Sequence, residues 1–403
     1  MNILHVTPYY APAWAWGGVV SAVTGLAQAQ ERAGHRVFVL TTDTLGPWLR
    51  GAAGSEPLDG VTVTRVATRS RASRARLNVS WPRNFFGAAR ELIEREAVDI
   101  VHCHELRTVE TAAASRAAAR AHVPAILSPH GTLSWGTGRS TLKRGWDLLF
   151  ARRVLPRFWC VVALTPAERD EIEEFSVRSG IAMDGAAIPV VPNGVDACPR
   201  FTPDERRIAR ERLGLDAREH VVLFLGRLHE RKRIPLLLEA FAAFADRCAP
   251  ARLILAGPDG GALRSVQACL ERLALTSRVL LPGLVTGDAR RDVLASADVF
   301  TLAGAGEGLP MAALEALAAG VPAVLAPGCH LPEVAAAGAG LVVDPAPDAF
   351  ASAWEHIVTK GSERDMGQRA RDLASTTFSW PAVTARLEEV YRRALASRRN
   401  SHV

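Results

Sequence analysis

The sequence predicts an α/β protein of two domains, each a Rossmann-like, doubly wound parallel sheet with helices on both faces. Two observations carry this expectation. Short apolar runs of strand length alternate with stretches of helical periodicity along the chain, the pattern left by parallel strands joined through crossover helices. The chain has 403 residues, 48% of them apolar, enough for two hydrophobic cores.

The first strand, at 3–7, starts almost at the N-terminus, with no basic region and apolar h-region ahead of it, so no secretory signal is expected. Gly17 and Gly18 close the next loop, and a helix over 19–32 starts there. Two side-chain-free residues just after the first strand would let the backbone approach a phosphate or sugar closely, although a Gly-Gly pair is more often a plain turn. Further strands are predicted at 37–41, 61–66, 100–104, 125–129 and 160–165, and in the second half at 190–192, 221–225, 252–256, 279–282, 299–302, 323–326 and 340–343. The division falls near Ile188 to Asp196, giving domains at 1–190 and 191–380 and a last helical segment at 381–403.

Composition narrows the class. Six cysteines (Cys103, Cys160, Cys198, Cys248, Cys269, Cys329) lie without C-x-x-C spacing, which fits reduced thiols and speaks against disulfide or zinc frameworks. No apolar run approaches the roughly 20 residues of a spanning helix. A cytoplasmic protein is expected, at most peripheral at the inner face of the membrane. A net charge of +6 and a pI near 9.3 imply acidic partners. Lys143, Lys232 and Lys360 are the only lysines among arginines, so a lysine at 232 stands out.

The most informative segment runs from Glu307 through Gly308, Leu309 and Pro310 to Glu315, inside an apolar stretch from Ala303 to Ala326. Burying carboxylates without partners is costly. Pro310 fits a first helical position, and Leu314, Leu317 and Ala318 follow at helical spacing, which puts Glu307 in the loop before a helix and Glu315 inside it. A strand, a glycine-containing turn and a helix N-terminus favour an anion, and nearby carboxylates accept from hydroxyls. A sugar nucleotide offers both. Standing alone, such a pair would be a helix cap and a solvated glutamate. Upstream, Gly226 ends a strand and Arg227 and Lys232 follow it, two cations placed to neutralise a diphosphate; His229, Glu230, Arg231 and Arg233 read as an exposed turn. His130 follows the strand at 125–129, where side chains face the ligand crevice of α/β proteins. His102 and His104 share a strand face, but no third ligand at metal-site spacing accompanies them and there is no Asp-x-Asp pair, so no metal site is predicted.

Glu307, Gly308-Leu309-Pro310 and Glu315, followed by Ala319-Gly320-Val321-Pro322, resemble the E-x7-E signature of the retaining glycosyltransferases of family GT4. Gly226-Arg227 with Lys232 resembles that family's diphosphate-binding element. Pro192-Asn193-Gly194-Val195-Asp196, Pro129-His130-Gly131 and Gly17-Gly18 complete a series in family order across almost the whole chain. The resemblance implies the GT-B fold, two Rossmann-like domains facing across a cleft, with donor in the second domain, acceptor in the first, and the last helix crossing back onto the first. It implies a nucleoside diphosphate sugar as donor and no metal or other cofactor. Arg227 and Lys232 would hold the diphosphate, Glu307 the sugar hydroxyls, Glu315 the ribose, and His130 would orient the sugar. Arg233 stands where the family has glycine.

Arg65, Arg69, Arg71, Arg74, Arg76, Arg83 and Arg90 occur without an acidic residue between Gly60 and Arg90, and Trp146, Leu149, Phe150, Leu155 and Phe158 lie among basic residues nearby. Both stretches suit an anionic membrane or a lipid-linked acceptor, and equally a solvated loop and a packed helix. Nucleic acid is not expected, because aromatics do not interleave with the arginines. Sugar transfer to a saccharide or lipid-linked acceptor is therefore the expected function, with a GT-B epimerase or a catalytically silent scaffold as rivals.

Overall fold

The computed structural model describes residues 1–46, 48–70, 73, 80–133, 140–181, 188–359 and 363–400. Arg71, Arg74 and Arg76 of the basic run, and Lys360, lie outside the described residues. The chain forms two compact units, Met1–Gly194 with Trp380–Val403, and Val195–Ser379.

Unit one holds β1 (Asn2–Val6), β2 (Arg36–Thr42), β3 (Gly54–Leu58), β4 (Val61–Val66), β5 (Ile100–His104), β6 (Ala125–Ser128) and β7 (Cys160–Val161), in sheet order β3-β4-β2-β1-β5-β6-β7. All neighbours are parallel except the β3–β4 pair. β3 was not foreseen. It is an edge strand, largely exposed, with Pro57 in it, so it lacks the alternating apolar pattern that marks a strand, and an edge tolerates the missing donor. β7 is shorter than expected, because the chain leaves the sheet after Val161 and Thr165 caps the next helix, Pro166–Ser179. The strand predicted at 190–192 reduces to a single bridge, Ala163 to Val190. Arg65, counted in the basic loop, instead lies buried on β4, where its Nε donates to Glu56 Oε1 at 2.9 Å. All six cysteines are free thiols.

Unit two holds β8 (His220–Leu225), β9 (Ala251–Ala256), β10 (Val279–Gly283), β11 (Val299–Leu302), β12 (Ala323–Leu325) and β13 (Gly340–Val342), all parallel in the order β10-β9-β8-β11-β12-β13. Phe244, Phe350 and Trp354 pack edge to face beneath the sheet. In each sheet the order reverses about the first strand, between β1 and β5 and between β8 and β11. Such reversals open a crevice outside the strands' carboxyl ends.

The helix Trp380–Asn400 packs on the helix Gly18–Arg32 within unit one. The Trp380 indole is wedged between two glycines: a Cβ on Gly25 or on Gly194 would lie 2.2 Å from its ring. Among the described residues no helix is long and apolar enough to cross a membrane.

Gly25→Ala should therefore destabilise unit one by about 1–3 kcal/mol through overpacking, read as a lowered chemical-denaturation midpoint. An unchanged midpoint would show that the indole can yield.

Candidate active site

Adjacent strands β8 and β11 each end in a loop, and backbone and side-chain bonds stitch the two loops together. After Gly226 the chain runs to a short helical turn, Glu230–Lys232, capped by His229. Ala305 N donates to Arg231 O at 3.1 Å, and Arg231 Nη2 donates to Gly306 O at 2.6 Å. His229 and Arg231 are thus half-buried, whereas Glu230 and Arg233 are exposed as the turn was expected to be. Beside it Lys232 Nζ meets Glu307 Oε1 at 2.6 Å, both side chains mostly shielded from solvent. Glu307 N donates to Gly328 O at 3.0 Å, which ties in the loop after β12. Two glycines leave the necessary room. A Cβ on Gly304 would lie 2.4 Å from Glu307 Oε1, and one on Gly257 would lie 1.9 Å from the Gly226 carbonyl oxygen.

Pro310 precedes the helix Met311–Ala319 and is not part of it. With ψ of 111° it is the cap, and its carbonyl accepts from Ala313 N. Gly308 and the buried Leu309 lead into it. Glu315 lies inside the helix, and Arg290, which the motifs did not point to, directs both Nε, at 2.7 Å, and Nη2 at its Oε2. Burial pushes the Glu315 carboxyl up, Arg290 opposes this, and Asp196 adds to the upward push. Arg233 adopts φ 50° and ψ 41°. The position where the family resemblance implied glycine thus has the left-handed backbone that glycine favours.

In unit one Gly17, at φ 92°, caps the helix Gly18–Arg32, and its N–H donates to Trp14 O at 3.1 Å. Trp16 stacks on Tyr9 with centroids 4.2 Å apart. His130, at φ 55°, lies two residues beyond β6, after Pro129. Glu168, from the start of the helix Pro166–Ser179, grips this turn: Gly131 N donates to its Oε1, and Leu164 N donates to its Oε2 at 2.7 Å. Burial outweighs those bonds and pushes the Glu168 carboxyl up to about 7.

Behind His130 lies a third imidazole that the sequence spacing did not show. His5 of β1 joins His102 and His104 of β5, their ring nitrogens within 4.8 Å of one another. A local spacing rule sees only one strand, whereas the parallel register sets His5 opposite His102. Every nitrogen of the three rings already has a protein partner: Gln30, His104, Tyr391, Ser128, His5 or His130. Burial lowers the pKa of all four histidines, to about 4 for His5 and His130.

The predicted site residues therefore fall into two groups. Gly226, Arg227, Lys232, Glu307, Gly308, Leu309, Pro310 and Glu315 gather at the carboxyl ends of β8 and β11 in unit two, and Gly17, Gly18 and His130 follow strands of unit one.

Two doubly wound units, each with a sheet whose strand order reverses about its first strand, define the GT-B class of α/β proteins. The family profile described as "Glycosyl transferases group 1" matches residues 205–373, and that described as "Glycosyltransferase Family 4" matches residues 16–197. The chain belongs to the group 1, family 4 glycosyltransferases. It is 29% identical over 390 residues to a GDP-mannose-dependent alpha-(1-6)-phosphatidylinositol dimannoside mannosyltransferase of Mycobacterium tuberculosis, covering 96% of this chain and 94% of the relative. It is 29% identical over 429 residues to a D-inositol 3-phosphate glycosyltransferase of Kineococcus radiotolerans, covering 98% and 95%. Anabaena HepE, crystallised with UDP-glucose, shares the fold with a TM-score of 0.75 at 20% identity, over 98% of this chain and 100% of that one. Neither an epimerase nor a silent scaffold is favoured by these likenesses.

Two outcomes follow from this geometry. Arg233→Gly should match or exceed the wild type by up to about 1 kcal/mol, whereas Arg233→Val should lose stability, since a β-branched residue suits the left-handed region least; thermal melts compare them. Acidification has opposed terms. The histidines are proton-poor when folded, so their contribution is complete above pH 6.5 and is lost as pH falls through that value toward about 4. Glu168 runs the other way, its penalty complete above about 7 and relieved toward 4.5. Four rings outweigh one carboxyl, so the denaturation midpoint should fall from pH 6.5 to 4. In Glu168→Gln, which lacks the offset, the fall should be steeper.

Proposed function

We propose that this glycosyltransferase moves a hexose or related sugar, with retention at the anomeric carbon, from a nucleoside diphosphate sugar to a hydroxyl of a saccharide or lipid-linked acceptor. The observation that carries the reading is the contact between Lys232 and Glu307, an ammonium beside a carboxylate at the ends of β8 and β11. A diphosphate attracts the first group and sugar hydroxyls donate to the second, so the bond to be broken lies over the contact. Lys232 and Arg227 neutralise charge as it builds on the leaving diphosphate. Glu307 takes the sugar hydroxyls. Glu315, whose Oε2 is held by Arg290, turns Oε1 to the ribose. From unit one we assign His130 and the Gly17-Gly18 backbone to the sugar.

The bond between C1 and the diphosphate oxygen breaks, and the acceptor oxygen bonds C1 on the same face. The acceptor proton passes to the departing phosphate oxygen, so the step asks for no protein nucleophile, and we assign no metal or other cofactor to it. GDP-mannose in the name of one relative and UDP-glucose in one crystal agree on a hexosyl donor. Polysaccharide or glycolipid assembly is the proposed setting. Leu148, Leu149 and Phe150 are exposed beside the exposed Arg152 and Arg153, which supports peripheral contact with an anionic membrane at its cytoplasmic face.

A thermal-shift screen of UDP-, GDP- and ADP-sugars should single out one base, since a ligand at 100 times its Kd stabilises by about 2.7 kcal/mol; no response to any of them contradicts the proposal. With that donor, Lys232→Ala and Arg227→Ala should each cut turnover by more than about tenfold with stability little changed, and Lys232→Arg should not restore it, because a point charge and a planar fork differ. Glu315→Gln should weaken binding of the free nucleoside diphosphate, and Glu307→Gln should blur discrimination among donor sugars. The reverse pattern exchanges their roles. Co-sedimentation with anionic liposomes should fade with salt and with Leu149→Ser/Phe150→Ser; equal sedimentation of both chains removes the membrane contact.

A further inference from the structure

The buried histidines of unit one form one hydrogen-bonded network with Gln30 of the helix Gly18–Arg32, Tyr391 of the last helix, and Ser128 of β6. Gln30, His5 and Tyr391 are fully buried, and His102 and His104 nearly so. A neutral imidazole has one N–H and one bare nitrogen. In a row of neutral rings the direction chosen at one end is therefore imposed on every ring. The choice is made at Gln30, whose Oε1 lies 2.7 Å from His5 Nε2 while its Nε2 donates to Tyr391 OH at 3.2 Å.

An amide oxygen only accepts, so His5 carries its proton on Nε2. Its Nδ1 then accepts from His104 Nε2–H at 3.0 Å, and His104 Nδ1 accepts from His130 Nε2–H at 2.9 Å. His130 is left with a bare Nδ1. In the second branch Tyr391 accepts from Gln30 and donates its O–H to His102 Nδ1 at 2.8 Å, and His102 Nε2–H donates to Ser128 Oγ at 2.9 Å. All four rings carry the proton on Nε2, the tautomer a free neutral imidazole side chain already prefers. Turning the Gln30 amide over would reverse each bond and make His130 Nδ1 a donor.

We propose that Gln30 is a positioning residue that sets the tautomer of His130 through His5 and His104, so that His130 presents an unprotonated Nδ1 as an acceptor for a sugar hydroxyl. The last step rests on His130 facing the donor sugar; the relay behind it does not. Reading the same rings as metal ligands would require a cation to displace partners from nitrogens that are all engaged.

The test is long-range proton–nitrogen NMR correlation on the full chain labelled with nitrogen-15 histidine. The wild type should show His130 neutral, with Nε2 protonated and Nδ1 bare. Gln30→Met, which removes the anchor, should shift His130 toward a mixture, and Gln30→Glu, which keeps an accepting oxygen facing His5, should restore the wild-type tautomer of His130 while reversing His102, because it has no N–H for Tyr391. Tyr391→Phe frees the amide and should mix the tautomers as well, which keeps the test open if Gln30→Met does not fold. Turnover should fall by about tenfold in Gln30→Met, the worth of one hydrogen bond, with the donor KM little changed, and recover in Gln30→Glu. A protonated Nδ1 on wild-type His130, unchanged tautomers in folded Gln30→Met, or a stoichiometric metal on these rings in the purified chain overturns the relay. Tautomers that respond while turnover does not uphold the relay and remove His130 from the sugar.

Discussion

A parallel sheet whose strand order reverses about its first strand has one place where neighbouring loops part in opposite directions, and the loops that carry most of the candidate site residues start there. In unit two that place lies beyond β8 and β11, in unit one beyond β1 and β5. Strand adjacency, not sequence distance, puts Lys232 beside Glu307 and His5 beside His104.

Opposite means keep the two groups in position. The loops of unit two are held by charge and backbone: Arg231 bonds to two residues of the β11 loop, Lys232 pairs with Glu307, and glycines at 257 and 304 give up side chains so that the segments can touch. A ligand can compete for such contacts, since an ammonium exchanges one oxygen for another readily. The interior of unit one relies on hydrogen bonds among buried neutral groups, where a single amide orientation propagates through three rings.

Much of this was legible in the sequence, for physical reasons that also mark the limit. Apolar runs of strand length found most strands of both sheets because a parallel strand buries both faces. β3 escaped because an exposed edge needs no such pattern. The Glu307–Glu315 spacing and Lys232 were visible as charges in apolar or arginine-rich surroundings. Arg290, Gln30, Glu168 and Tyr391 were not, since each reaches its partner only through tertiary packing and looks locally like an ordinary helix residue. Arg65 misled in the other direction: a charge in a basic run proved to be a buried partner of Glu56. Arg233 shows that a residue with a side chain can hold the left-handed conformation that glycine favours.

If diphosphate meets sugar over the Lys232–Glu307 contact, the two groups act on the nucleotide in opposite ways. A double-mutant cycle with Lys232→Met, Glu307→Gln and the double variant, read by calorimetry with the nucleoside diphosphate alone, separates them. Lys232→Met should weaken binding by about tenfold or more, Glu307→Gln should not weaken it because the ammonium loses a competitor, and the double variant should resemble Lys232→Met. Unchanged affinity in Lys232→Met, or a loss in Glu307→Gln as large as in Lys232→Met, would contradict that placement.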